Sequence, residues 1–415
     1  MDKTEIFVYA GWEDDKKIGT IFSDMLNGNE VVSFAYNPEW LQKHPYLVLD
    51  PTFERSPYRF YSKDKILFGA FQDSCPDRWG RKLIDRRESI YAEKEKRRPQ
   101  RFNETGYMLQ LQDTTRIGAF RFKTDEQGDF LANYDLSVPP ISSVRELEQI
   151  SLGYEKGNDE RWIKQLVNPG SSLGGARPKA NVRDTDGSLW IAKFPSRYDD
   201  YDIGAWEKVA HDLARECGIT VPESKIIRYS DLGSTFLIKR FDRTLEATGE
   251  EKRIHFASAM TMLGMRDGNT DGVSFLDIID AIEKITSNTD KELEALFRRV
   301  VFDIAISNQD NHLRNHGFLL KNNTWALSPS YDLNPVNNAD YLSLYIDMDD
   351  GRRSFEKALS TAEYYHLSYD HAQIIIKEIS ETVAELWRPF ATKHGINESE
   401  KKRMSSAFSL AEERV

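Results

Sequence analysis

Apolar and polar residues alternate at the start of the chain in "IFVYAGW" and "KIGTIF", with the polar "EDDK" between them. A period of two belongs to strands with one covered face, so the pair reads as a β-hairpin. "EVVSFAY" reads as a further strand, and "RIGAFRF" (116 to 122) as a short aromatic one in which Gly118 allows a close backbone approach. "DRWGRKLIDRRESIYAEKEKR" reads as a charged helix. "VPPIS" near 138 to 142 marks a linker, and "SSVRELEQI" begins a helix with Ser143 as N-cap and Glu146 three positions on.

The middle returns to β character. "KANVRD" and "GSLWIAKFPS" form two strands joined by "TDG", a hairpin signal. In "DIGAWEKVAHDLARECGI" the residues Trp206, Val209, Ala210, Leu213 and Cys217 recur at helical spacing, with Gly218 placed to end the helix. "SKIIRY" and "STFLIKRFDR" are again strand-like. Beyond about residue 255 the pattern turns helical, in "FASAMTMLG", "FLDIIDAIEKI", "LEALFRRVVFDIAIS" and "DHAQIIIKEISETVAELW". This order predicts an α+β chain in three parts: a β-rich part over 1–140, an α/β part over 141–250 and a helical part over 251–415.

Composition narrows the classes. With 415 residues, 40% hydrophobic and 12% aromatic, the chain can bury large cores in two or three domains. No apolar stretch approaches the roughly 20 residues of a membrane helix, and the acidic, strand-like start does not resemble a signal peptide. Cys75 and Cys217 have no CxxC or Cys/His spacing around them, so neither a disulfide framework nor a structural zinc site is expected, and the compartment implied is a reducing cytoplasm. A net charge of −11 argues against a self-sufficient DNA binder. The basic "EKEKRRPQR" (93 to 101) reads as a solvated loop, which leaves any nucleic-acid role indirect.

The candidate chemistry lies in "NQDNHLRNHGFLL" (308 to 320). Asp and Asn are ordinary turn residues, and alone the stretch reads as a bend. Its Asp310 and Asn315, however, have the D-x-x-x-x-N offset of a kinase catalytic loop, and Asp332 in "SPSYDLNP" follows where a second metal-binding Asp is needed. Upstream, Lys193 ends the apolar "LWIAKFP" as a phosphate-contacting lysine does, and Glu207 on the next helix shares a ridge with Ala210 and Ala214 and could pair with it. In "SSLGGARPKA" (171 to 180), Gly174 and Gly175 let backbone N–H groups approach phosphate oxygens, and Lys179 adds charge. That loop is neither a Walker A sequence nor G-x-G-x-x-G. Four weak signals in kinase order are strong together.

"SSLGGARPKA", "WIAKFP", "FLIKRFDR", "NQDNHLRNHGFLL" and "SPSYDL" resemble the successive motifs of the HipA family, bacterial serine/threonine kinases that are toxins of type II toxin–antitoxin pairs. The resemblance implies a protein-kinase-like two-lobed fold, β-rich then mostly α-helical. It implies Asp310 as catalytic base and ATP contacts from Gly174, Gly175, Ala176, Arg177, Pro178, Lys179, Lys193, His312 and Tyr331. Asn315 and Asp332 would ligate Mg²⁺, and the Lys239, Arg240 and Phe241 backbone would hold adenine. Ser172 corresponds to the serine such kinases autophosphorylate, with Ser171 its neighbour and competitor. The implied partners are a HipB-like helix-turn-helix antitoxin, through which DNA is met indirectly, and a protein substrate such as an aminoacyl-tRNA synthetase. Arg177-Pro178 and Lys239 depart from familiar members, so substrate choice does not carry over. A pseudokinase corepressor and a small-molecule kinase are the competing readings. The first would lack Lys193, Asp310 or Asp332, and the second the S-x-x-G loop and the β-rich N-terminal part.

Overall fold

The alternation at the start of the chain becomes an antiparallel sheet. Strands β1 (Lys3–Ala10), β2 (Lys16–Leu26), β3 (Asn29–Tyr36), β4 (Phe60–Tyr61) and β5 (Phe120–Lys123) lie in the order β4-β3-β2-β1-β5. The computed structural model describes residues 3–62, 67–131, 138–156, 166, 175–266, 268 and 272–414. These fall into two units, each assembled from separate stretches of chain. The first comprises Met1–Ser196 and Arg240–Ala257, the second Arg197–Lys239 and Ser258–Val415.

In the first unit, one sheet face is closed by aromatic rings. Phe71 meets Phe34 edge-on at 5.3 Å and lies tilted against Phe120 at 5.4 Å. Helix α1 (Arg78–Lys94) begins where Asp77 accepts a bond from Gly80 N–H; α2 (Glu104–Gln110) and α3 (Val144–Glu155) follow. Ser143 sits at the N-cap of α3 but makes no capping bond, because Ile141–Ser143 form a 3₁₀ turn that already gives Ser143 helical dihedrals. The "KANVRD/GSLWIAKFPS" hairpin forms as read, with β6 (Lys179–Arg183) antiparallel to β7 (Leu189–Lys193).

The expected strand over 116 to 122 starts only at Phe120. Gly118 adopts φ +70°, and a Cβ there would lie 3.0 Å from Phe256 N, so the close approach read from the sequence is present but costs the strand its first half. Around it lies a buried network. Asp242 accepts from Gly118 N–H at 2.7 Å, from Arg240 at 2.6 and 2.8 Å, and from Arg243 at 2.7 Å. Arg240 also donates to Thr115 O, Arg116 O and Asn181 Oδ1. Burial alone would raise the Asp242 carboxyl; the two guanidiniums and the Gly118 N–H outweigh it and hold the group down at about 2.

In the second unit, α4 (Ile203–Glu216) carries Trp206, Val209, Ala210 and Leu213 fully inward, as their spacing predicts. It ends in a Schellman motif, with Gly218 N–H on Arg215 O and Ile219 N–H on Ala214 O. Strands β8 (Ser224–Ser230) and β9 (Gly233–Lys239) pair antiparallel. Helices α5 (Phe275–Ile285), α6 (Thr289–Ile306) and α7 (Tyr369–Lys393) form the helical part, with the hairpin β10 (Gly317–Lys321) and β11 (Thr324–Leu327) among them. "FASAMTMLG" is helical only from Ala259, because the Ser258 hydroxyl caps Thr261 N–H and holds its own backbone extended. Trp387 of α7 stacks on Phe408 at 4.5 Å, and Trp206 lies 6.0 Å from the same ring.

Replacing Asp242 by Ala strands two buried guanidiniums. The expected loss is about 3–5 kcal/mol, read from the urea midpoint of the first unit; an unchanged midpoint would show the network to be dispensable. In the wild type the Asp242 contribution is present above the ordinary carboxylate range and is lost as pH falls toward about 2.

Candidate active site

The first unit supplies a cationic hairpin mouth. Lys179 and Lys193 sit directly opposite in the β6–β7 register, so their side chains leave the same face. Like charges so placed repel, and the structure answers with Asp77: its Oδ2 lies 3.1 Å from Lys179 Nζ, with both side chains buried. Trp79 Nε1 donates to Lys179 O at 3.0 Å. Lys193 is half-buried, and Arg177 reaches Phe194 O at 3.3 Å. Gly175 has φ +89°, and a Cβ there would stand 3.0 Å from Lys179 Nζ. Glycine thus lets the lysine tip lie against the turn. Ala176 is exposed and Pro178 buried. Ser171, Ser172 and Gly174 lie outside the described residues.

Residues 239 to 241 are held by what surrounds them. The Lys239 and Arg240 N–H groups donate to Glu223 O and Leu189 O respectively. The Arg240 side chain is engaged in the Asp242 network.

The second unit holds the loop read as catalytic. Helix α6 ends at Ser307, which takes a left-handed conformation (φ 59°) and turns the chain outward. Asp310 follows with a side chain 67% exposed; His312 Nε2 lies 3.6 Å from its Oδ1. Leu313–Asn315 form a 3₁₀ turn. The Asn315 Nδ2 donates to the Asp310 carbonyl, so the amide oxygen is the end turned away from that bond. The Tyr331 hydroxyl donates to Arg314 O at 2.7 Å, fastening the residue before Asp332 to the residue before Asn315. Asp332 has φ 59°, outside the usual range for a side-chain-bearing residue. Glu207 is buried on α4 of this unit, whereas Lys193 belongs to the first.

The sequence reading missed what supports this loop. Asp303, in the last turn of α6 and 2% exposed, accepts from Asn308 Nδ2 at 2.8 Å and Asn311 Nδ2 at 3.4 Å. Burial pushes its carboxyl up to about 7 against the pull of those donors and of Arg299. Arg299 donates to Ser328 O and is itself lowered to about 10 by burial, and burial lowers His316 to about 3. Arg299, Asp303, Asn308, Asn311 and His316, with Asn315 and Tyr331, line a small cavity. A signal was available: Asp303 is a lone carboxylate among Phe302, Ile304, Ala305 and Ile306, where an unpartnered charge is not tolerated.

Mg²⁺ prefers oxygen ligands and is commonly held by one or two protein groups together with phosphates. The Asn315 amide oxygen and the Asp332 carboxylate are donors of that kind on two loops tied by Tyr331, and they fit the ion. Among the described residues no three acidic, His or Cys side chains cluster to hold a metal unaided.

Residues 171–387 match the HipA-like C-terminal domain, and residues 11–106 match the HipA N-terminal domain. The chain belongs to the HipA family. The structure of Shewanella oneidensis HipA, solved with HipB and its operator DNA, aligns over 99% of this chain and 96% of that one at a TM-score of 0.67 and 16% identity. The HipA fold is therefore present: α+β, β-rich toward the N-terminus and largely helical toward the C-terminus. Curated relatives include Putative kinase Y4dM of Sinorhizobium fredii, 27% identical over 54% of this chain and 56% of its own length. A Haemophilus influenzae protein named Putative kinase is 25% identical over 48% of this chain and 64% of its own length. The chain thus spans roughly half to two thirds of the length of the curated relatives it matches. Among the described residues no helix is long and apolar enough to cross a membrane.

The sign of the Asp303 shift sets a test. A carboxyl raised on folding contributes fully in acid, and that contribution is lost as pH climbs from the ordinary carboxylate range to about 7. Asp303→Asn cannot ionise. Whatever its offset at pH 4, its melting temperature should gain on the wild type up to pH 7 and run parallel above. A constant difference across that range would mean the carboxyl titrates normally.

Proposed function

We propose that this HipA chain is an ATP- and Mg²⁺-dependent protein serine/threonine kinase acting as the toxin of a toxin–antitoxin pair. The observation that carries the reading is the second-unit loop: an exposed Asp310, with Asn315 bonded to its carbonyl and Tyr331 fastening the Asp332 turn alongside. Family membership and the names of the relatives support the same chemistry.

Bound Mg²⁺-ATP would supply the phosphoryl group and the cation that offsets its charge. Asp310 would orient the acceptor hydroxyl and take its proton at a carboxylate oxygen, for which its exposure suits it. Asn315 and Asp332 would hold the metal, and Lys193, with Lys179 and Arg177 at the same hairpin mouth, the phosphates. The backbone of Lys239, Arg240 and Phe241 would receive adenine, with His312 and Tyr331 at the catalytic-loop side. Ser172 would be the autophosphorylated residue: a phosphate there would repel a bound triphosphate and switch the enzyme off. A HipB-like helix-turn-helix antitoxin would restrain the kinase and bring it to DNA, and the protein substrate would be a translation component such as an aminoacyl-tRNA synthetase.

Asp310→Ala should cut incorporation of labelled phosphate from ATP by about 10²–10⁴-fold while leaving the melting temperature near that of the wild type; retained transfer would move the base elsewhere. Ser172→Ala should erase the main phosphopeptide of the self-labelled protein, and an unaltered map would defeat that assignment. Saturating Mg²⁺-ATP should raise the melting temperature of unphosphorylated protein by about 5 °C or more; no shift at millimolar nucleotide would favour a corepressor without nucleotide.

A further inference from the structure

The loop bearing Asp310 has few apolar anchors, and its position is set by amides. Asn308 and Asn311 each use both ends of the side chain. Their N–H₂ groups donate to the Asp303 carboxylate, one to each oxygen. The Asn308 Oδ1 accepts from Asn334 N–H at 3.4 Å, and the Asn311 Oδ1 accepts from Ser343 N–H at 3.0 Å and Leu344 N–H at 3.3 Å. Ser343 also donates its hydroxyl to Gln309 O at 2.6 Å, and Val336 N–H reaches Ser307 O at 3.2 Å. One buried carboxylate in the last helical turn therefore orients two amides, and those amides hold the chain on either side of Asp310 and two stretches beyond Asp332.

The direction of each bond matters. An asparagine can flip end for end, and the flipped form would present N–H₂ to the N–H groups of 334, 343 and 344. With an Asp303 oxygen accepting from each N–H₂, the orientation selected is the one in which both amide oxygens face those backbone donors. We infer that Asp303 is a positioning residue for the phosphoryl-transfer site: through Asn308 and Asn311 it fixes the loop carrying Asp310 against residues 334 to 344. The inference rests on the kinase reading. Asp303 does not touch nucleotide or acceptor; it acts by limiting where Asp310 can be, and a displacement of about 1 Å in a reacting group can cost of order 10²-fold in rate. Arg299, one turn earlier on α6, and His316 and Tyr331, which line the same small cavity, are the other titratable groups around it.

The test is the initial rate of labelled-phosphate incorporation into the full-length chain at varied Mg²⁺-ATP. Asp303→Asn keeps the shape but offers a single acceptor oxygen and sets an N–H₂ against one of the two asparagines. It should lower kcat 10- to 100-fold while KM for ATP stays within threefold, because the cationic hairpin of the first unit is untouched. Asn311→Ala should give a similar loss, and the double variant should lose little more than either single one, as expected of one connected chain of bonds. Hydrogen exchange at the amides of Asn334, Ser343 and Leu344 should quicken in both single variants, which separates a loosened loop from a failed fold. An Asp303→Asn protein with wild-type kcat, or losses that multiply in the double variant, would overturn the role while leaving the kinase reading in place. A wild-type chain that transfers no phosphate would remove the kinase reading and this role with it.

Discussion

A carboxylate withdrawn from water survives only if donors surround it, and each stretch proposed to do chemistry here is backed by one such group. Asp77 stands behind Lys179 at the glycine turn, Asp242 behind Arg240 at the 239–241 segment, and Asp303 behind the loop of Asp310. In each case the acid lies in the core and ties down a neighbour.

The arrangement suits phosphoryl transfer because that chemistry asks mostly for placement and charge compensation. The Asp310 side chain is exposed, so the placement of its carboxylate depends on the backbone that carries it. Restraint has to come from the backbone beneath it, and the asparagine bonds around Asp303 supply it without using the acid itself. The left-handed dihedrals of Ser307 and Asp332 are consistent with this: both residues hold conformations that local preference disfavours and the surrounding bonds enforce.

Much of this was legible in the sequence where a residue's role is local. The spacing of Trp206, Val209, Ala210 and Leu213 gave the inward face of a helix, Gly218 its end, and the offset of Asp310 and Asn315 the candidate loop. Reading failed where an adjoining turn or a distant bond overrides local pattern. Ser143 had the right type and place for a cap but was displaced by a preceding 3₁₀ turn, and "RIGAFRF" lost half its strand because Gly118 is drawn to Asp242, 124 residues away. Asp303 went unnoticed because its partners follow it outside any helical period, and Lys179 looked like a free point charge because Asp77 is remote in sequence.

The route of the chain carries its own consequence. The polypeptide completes residue 196 of the first unit, builds residues 197–239 of the second, and returns with 240–257 before leaving for good. The guanidiniums and carboxylate that lock the region of Gly118 arrive with that returning segment. During synthesis, at about 5–20 residues per second, Gly118 must therefore wait roughly 6 to 25 seconds for Asp242, 124 residues later, to be made. No single cut in the gene would yield either unit whole.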